Sequence, residues 1–441
     1  MKRQITEKLL NWKDSSVRKP LIVRGARQIG KSYTITEFGN IYFEGTTHVI
    51  NFEKRIDWHS IFDLNYDITR ILGELEILIG KRIIVGKDLL FFDEIQECPN
   101  AIASLRYFYE QLPALHVIAA GSLLEFALGN IPFPVGRVQL INMYPMNFQE
   151  FLMATRNELA AKLIQDAPKV VSESVHNMLI GELKKYFFVG GMPECVKTYA
   201  ETNSMNDVFE IQSDLLATFR QDFLKYTPKI DTSCLNSVLN SIPQKIGQQI
   251  KYSGLADGYS NPTIKKAFDL LETARLFRKV KAASPAGLPL GASASDKKFK
   301  AIMLDIGLLG CLFGVSRSQE YPKTGLLTIF QGAMAEQYVG QEILAATNND
   351  LFYWAREAKS SNAETDYLIG KQGKIVPVEV KSGKGGSLKS LHLLLETYSN
   401  VDEAYVFSDS NYGTIPEQKI SFIPLYYVAT AVADREELIY S

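Results

Sequence analysis

Two groups of residues in this chain have the types and spacing for phosphate chemistry. The first is Gly25-Ala26-Arg27-Gln28-Ile29-Gly30-Lys31-Ser32, which fits Gly-x-x-x-x-Gly-Lys-Ser/Thr at every required position. Glycines at both ends of such a loop let successive N–H groups point inward and cradle the β- and γ-phosphates of a nucleotide. Lys31 would bring a point charge to the same oxygens, and the Ser32 hydroxyl can ligate the Mg²⁺ that bridges them. Further on, the apolar run in Asp88-Leu89-Leu90-Phe91-Phe92-Asp93-Glu94 ends in two acids. Asp93 would hold the Mg²⁺ shell, and Glu94 would orient and deprotonate the attacking water.

The second group lies in the last quarter of the chain. Asp366 falls in Thr365-Asp366-Tyr367-Leu368-Ile369, and Glu379 and Lys381 end the run Ile375-Val376-Pro377-Val378-Glu379-Val380-Lys381. Side chains two apart on a strand share a face, so Glu379 and Lys381 project together while Val378 and Val380 turn to the other side. An acid on one strand and acid-x-lysine on the next can build a Mg²⁺ site for phosphodiester cleavage. Two carboxylates, Asp366 and Glu379, would hold the ion, and Lys381 would steady the attacking water or the developing charge. A helix over 332–345 carries a further acid, Glu336. A polar trio on neighbouring strands is also what an inert surface can present, so cleavage and an inert fold both stay open.

The elements that must position these residues follow from apolar patterning. Residues 3–14 read as an amphipathic helix, and Leu21 to Val23 as the buried strand that opens into the phosphate loop, with a helix beginning near Tyr33. Strands follow at 48–53, 88–94 and 115–122, with helices at 68–78 and 102–112 between them. The alternation is that of a doubly wound parallel sheet, whose ligands bind at the carboxyl ends of the strands. Leu115-His116-Val117-Ile118-Ala119-Ala120-Gly121-Ser122 ends on a serine at the place where ATPases of the AAA+ type carry a polar sensor of the γ-phosphate. Arg137, ahead of a strand at 138–143, is either an ordinary surface side chain or a contact to the γ-phosphate of its own or a neighbouring subunit.

Residues 147–225 read as a helical connector interrupted at Val189-Gly190-Gly191-Met192-Pro193. Beyond it come a helix at 235–242, a weaker helical stretch at 250–256, and a helix that Asn261 is expected to cap with Pro262 at its first position. Strands at 276–282 and 297–303 complete the layout of a winged helix. Its hairpin carries Arg278, Lys279, Lys281, Lys297, Lys298 and Lys300, which could neutralise DNA phosphates or could simply be a solvated basic hairpin.

With 441 residues the chain is too long for one core. A 46% apolar, 22% charged composition with net charge −1 is that of an ordinary soluble chain, and it excludes a protein coated in positive charge. Cys98, Cys195, Cys234 and Cys311 form no CxxC pair and read as reduced, packed thiols of a cytoplasmic protein. No stretch reads as a signal peptide or a membrane span, and the histidines have no metal-ligand spacing.

Taken in order, these motifs resemble a known family nearly end to end. The phosphate loop, Phe91-Phe92-Asp93-Glu94, Tyr144-Pro145-Met146-Asn147-Phe148-Gln149-Glu150-Phe151, Gly190-Gly191-Met192-Pro193-Glu194, Leu304-Asp305-Ile306-Gly307-Leu308 and Pro377-Val378-Glu379-Val380-Lys381-Ser382 are similar to those of AAA-family prokaryotic P-loop ATPases with a C-terminal domain of unknown function. The acids of the last domain resemble the PD-(D/E)XK nuclease superfamily, with Thr365 where the motif name has proline. The resemblance implies an AAA-like P-loop domain at 1–150, a helical lid or connector at 151–225, a winged helix at 226–325 and an α/β nuclease-like domain at 326–441. It also implies binding of ATP with Mg²⁺, hydrolysis of ATP and a nuclease-like site. Contact with DNA through the winged helix and C-terminal domain, and assembly into a homo-oligomer, are further expectations. The other expectation is a nucleotide-controlled switch with an inert C-terminal domain.

Overall fold

The computed structural model describes residues 3–122, 124, 133–226, 231–314, 327–356, 363–381 and 387–433. Ser382 and most of the Gly-Pro-rich stretch before Arg137 lie outside these. The chain divides into two compact units, one ending at Tyr144 and the other beginning at Pro145.

In the first unit, helix α1 (Ile5–Asp14) precedes strand β1 (Leu21–Arg24), helix α2 (Lys31–Tyr42) and strand β2 (Thr47–Asn51). Helix α3 (Ile68–Ile79), strand β3 (Leu89–Asp93), helix α4 (Pro99–Gln111), strand β4 (His116–Gly121) and strand β5 (Gln139–Asn142) complete the order. The strands form one sheet in the order β2-β3-β4-β1-β5, with every pairing parallel. From β1 the chain crosses to the far edge, returns through β3 and β4, and then places β5 on the other side of β1. The phosphate loop therefore leaves the sheet where the strand order reverses, which is where such sheets bind ligands. β3 and β4 are buried along their whole length, as continuous apolar runs in a doubly covered sheet must be. One face packs on a core that includes Ile50, Phe52, Leu90, Phe92, Leu105 and Phe108. This is the P-loop NTPase fold.

The second unit opens with α5 (Phe148–Ala154), α6 (Glu158–Gln165), α7 (Glu173–Val189), α8 (Pro193–Thr202) and α9 (Met205–Tyr226). Asn147 and Glu150 make a reciprocal capping box at the start of α5, which satisfies two backbone donors that the helix itself leaves unpaired. Three of the motifs quoted above meet at one node. The Gly191 N–H donates to Asp305 Oδ2 (2.6 Å), Met146 N–H donates to the Gly191 carbonyl (2.7 Å), and Asp305 Oδ1 caps the next helix through Leu308 N–H (3.0 Å). A Cβ at Gly191 would collide with the Met146 carbonyl, so glycine is required there by close approach.

Next come α10 (Thr232–Ser241), α11 (Asn261–Thr273), the antiparallel pair β6 (Phe277–Ala282) and β7 (Ser295–Met303), α12 (Ile306–Leu312) and α13 (Leu327–Thr347). Strands β8 (Phe352–Ala355), β9 (Glu364–Lys371) and β10 (Lys374–Val380), helix α14 (Lys389–Thr397), strands β11 (Ala404–Ser408), β12 (Gly413–Ile415) and β13 (Ile420–Pro424), and α15 (Val428–Val432) finish the unit. Its eight-stranded sheet runs β12-β13-β11-β10-β9-β8-β6-β7. The basic hairpin is therefore part of the same sheet as the C-terminal strands, because β6 pairs parallel with β8.

Several local expectations need correction. Helix α2 begins at Lys31, two residues before Tyr33, which puts Lys31 and Ser32 in its first turn. The helix expected at 250–256 is only a 3₁₀ turn, Tyr252–Gly254. α11 is capped by Ser260, whose hydroxyl accepts from Thr263 N–H, and Asn261 is already helical. Among the described residues, no helix is long and apolar enough to cross a membrane.

Candidate functional site

The residues of the phosphate loop converge at the end of β1. Gly25 is fixed by space, since a Cβ there would lie 2.5 Å from the Met143 carbonyl oxygen. Gly30, with φ at +87°, adopts the left-handed backbone that glycine takes without cost, and Gln28 adopts it too, at +62°. Ala26 and Ile29 of the loop are buried. Because α2 starts at Lys31, its unpaired first-turn N–H groups and positive dipole end face the loop. The Lys31 ammonium donates to the Gly25 and Ala26 carbonyls at 3.1 and 2.8 Å.

The end of β3 stands beside the loop. Ser32 Oγ donates to Asp93 Oδ1 (2.7 Å), and Asn51 Nδ2 donates to Asp93 Oδ2 (2.9 Å). Burial raises the Asp93 pKa, against the pull of the Ser32 and Asn51 hydrogen bonds. A hydroxyl and a carboxylate held this close are hard oxygen donors that fit Mg²⁺, which keeps most of its waters. Glu94 takes a left-handed backbone (φ +48°), and its Oε2 accepts from Gln96 Nε2 at 2.7 Å. Buried Ser122, one step beyond β4, accepts from Arg27 Nε at 3.3 Å. Arg137 donates through Nε to Glu110 Oε1 (2.9 Å), a carboxylate that Arg106 also engages, and its side chain remains 45% exposed.

Asn51 and Gln96 escaped sequence reasoning. The signal for Asn51 was available, since a polar residue ending β2 falls in register with Asp93. Gln96 had none beyond lying two residues after Glu94. Its Oε1 is buried without a partner among the described residues and lies where a Cβ on Gly121 would be. Gly121 therefore leaves room for Gln96, which bridges Glu94 and the end of β4.

The second group also converges. β9 and β10 pair as far as Val378 opposite Tyr367, and beyond that point the Asp366 carboxylate accepts the Val380 N–H (2.8 Å). Lys381 Nζ bonds Glu379 Oε1 at 2.6 Å, so the two share a face as strand periodicity predicts. Helix α13 supplies Glu336, whose backbone carbonyl accepts from the Tyr367 hydroxyl (2.7 Å). Glu379 is pushed up to about 7, by burial first and the nearby Asp366 charge second. Glu336 is pushed up to about 8 by burial and the same neighbour. Glu379 Oε2 is buried without a hydrogen-bond partner among the described residues, an orphan that suits a cation ligand. Among the described residues no three His, Cys, Asp or Glu side chains form a group able to hold a metal unaided. A divalent ion here would rest on Glu379 and Asp366 and complete its shell with water or a phosphate oxygen.

One hairpin residue is not where sequence reasoning put it. Lys300 is not a surface lysine of a DNA-binding wing. It is 1% exposed, and its ammonium lies 3.1 Å from Glu336, 3.4 Å from Glu364 and 3.7 Å from Asp366. Two more hairpin cations are spoken for: Lys279 pairs with Asp269 and Glu272 of α11, and Lys281 with Asp296.

Family models match three segments of the chain. Residues 180–319 and 331–428 match two domains of unknown function, DUF8612 and DUF4143. An uncharacterized protein of Haemophilus influenzae is 24% identical over 62% of this chain and 65% of its own length, and one of Methanocaldococcus jannaschii 21% identical over 63% and 59%. The chain thus spans less than two thirds of these relatives. Among solved structures, a Walker-type ATPase of Pyrococcus abyssi has a TM-score of 0.44 at 16% identity, covering 71% of this chain and 95% of that one. The RuvB Holliday junction branch migration motor of Thermotoga maritima has 0.29 at 15%, covering 64% and 90%. Residues 17–152, which hold the phosphate loop, the acid-ended β3 and the serine after β4, match the AAA domain family.

Proposed function

We propose that the chain binds Mg²⁺-ATP in the loop 25–32 and hydrolyses it, with Lys31 on the phosphates, Ser32 and Asp93 holding the ion, and Glu94 activating water. Ser122 would contact the γ-phosphate and Arg137 would reach it from the same or a neighbouring subunit. The observation that carries this reading is the Ser32–Asp93 pair beside a loop whose glycines are fixed by space and by φ. When bound, the ion neutralises charge on the phosphates. The chain's own residues position the nucleotide, orient Glu94 through Gln96, and exclude solvent beneath Ala26 and Ile29.

For the second unit the reading is a divalent-ion-dependent phosphodiester cleavage site made by Asp366, Glu379 and Lys381 beside Glu336, with ATP turnover governing its access to nucleic acid. What supports it is the approach of Glu379, Asp366 and Glu336 in one buried, like-charged group. An inert switch that binds a protein or DNA partner is the competing reading, favoured by the engagement of Lys300 with three of the acids. The experiment is incubation of wild type, Asp366→Asn and Glu379→Gln with Mg²⁺ and a panel of single- and double-stranded DNA and RNA, with and without ATP. Products from wild type alone support cleavage. Products from none, or equally from all three, leave the switch.

A further inference from the structure

The environment of Lys300 is that of an ion in a carboxylate cage. Its ammonium has Glu336 Oε1, Glu364 Oε1 and Asp366 Oδ1 within 3.7 Å, and the ring of Tyr353 closes another side at 5.3 Å. Gly247, with φ at +78°, brings bare backbone against the same group, since a Cβ there would lie 2.7 Å from Glu336 Oε2. The acids sit on α13 and β9, while Lys300 comes from β7, the edge strand of the sheet and part of a different matched segment. With Glu379 and Lys381 included, four carboxylates face two ammonium groups. The carboxyl groups outnumber the ammonium groups, and the orphan Glu379 Oε2 marks a side on which a carboxyl has no partner among the described residues.

We propose that Lys300 is a built-in monocation occupying one of two adjacent cation positions, so that the C-terminal site takes a single divalent ion, at Glu379 and Asp366, and no second. The inference rests on the carboxylate site read above, not on whether that site cuts nucleic acid. Holding three carboxyl groups this close together without compensation is costly, and a fixed lysine supplies the compensation at every divalent-ion concentration. It also makes the segment before α13 a contributor to the site, so the acids of 331–428 are incomplete without β7.

The test replaces the lysine and asks whether a metal takes its place. Nucleotide-free full-length wild type, Lys300→Met and Lys300→Arg are titrated with Mn²⁺, following the free-ion electron paramagnetic resonance signal, and melted with and without millimolar Mn²⁺. Lys300→Met should melt below wild type without the ion, recover with it, and bind one more equivalent of Mn²⁺ per chain. Lys300→Arg, which keeps the charge, should gain none. An unchanged stoichiometry in folded Lys300→Met, or a Lys300→Met chain that Mn²⁺ fails to restore, overturns the proposal. A protein that passes this test yet cuts no nucleic acid would refute the cleavage reading and leave this inference standing.

Discussion

At the scale of single residues, two side chains that no motif names carry specific expectations. Gln96 donates to Glu94 and keeps a buried, unpartnered Oε1 near the end of β4. Gln96→Ala should therefore lower the ATP turnover rate by roughly ten- to a hundredfold while leaving nucleotide affinity within about twofold, because a positioning group acts on the chemical step. Equal loss of binding, measured by fluorescent-nucleotide titration, would make Gln96 merely structural. Glu342 of α13 is pushed up to about 8, by burial first and by Glu150 after it, against a hydrogen bond from Phe148 N–H. A carboxyl whose folded pKa is raised favours the folded state fully below its ordinary value of 4.5, and that contribution is lost as pH rises through about 8. Thermal stability should fall across this window, and Glu342→Gln should flatten the fall; an identical pH profile in the variant would contradict the assignment.

At the scale of elements, the parallel sheet of the first unit was legible because its chemistry and its patterning coincide. β1 and β3 are apolar runs ending in a polar residue, and β4 is one followed directly by Ser122, as suits strands of a sheet covered on both faces. Gly25→Ala tests this junction, since its Cβ would meet a backbone carbonyl that cannot rotate away. Nucleotide binding should be lost with the fold intact by circular dichroism, whereas wild-type affinity would show that the loop can shift. The stretch at 250–256 was less legible: Ile250, Leu255 and Ala256 are buried, but their spacing of five and six does not mark one helix face, and the backbone makes only a 3₁₀ turn. Charge was the least legible. Six basic residues on a hairpin look alike in sequence, yet Lys300 is buried while Lys297 is exposed and Lys298 partly so. Lys297→Ala with Lys298→Ala should reduce both DNA affinity and the slope of its salt dependence if this hairpin touches phosphates. An unchanged slope places the contact elsewhere.

At the scale of the molecule, the motifs quoted from 144–151, 190–194 and 304–308 serve packing. They tie Met146, Gly191 and Asp305 into one hydrogen-bonded node of the second unit. The residues proposed for chemistry fall in two places, the loop 25–32 with Asp93 and Glu94, and the acids of α13, β9 and β10. If Arg137 serves a neighbouring subunit, mixing Arg137→Ala with Lys31→Ala protein should restore part of the ATPase activity that each lacks. No recovery in mixed assemblies verified by mass would assign it to its own subunit or to the surface pair with Glu110. The central claim, that the first unit hydrolyses ATP with Glu94 as the base, meets its most direct test in phosphate release from Mg²⁺-ATP by wild type and Glu94→Gln, with binding measured on the same samples. The account predicts turnover by wild type, a loss of at least about a hundredfold in Glu94→Gln, and undiminished binding in both. Phosphate release by Glu94→Gln at the wild-type rate would contradict it.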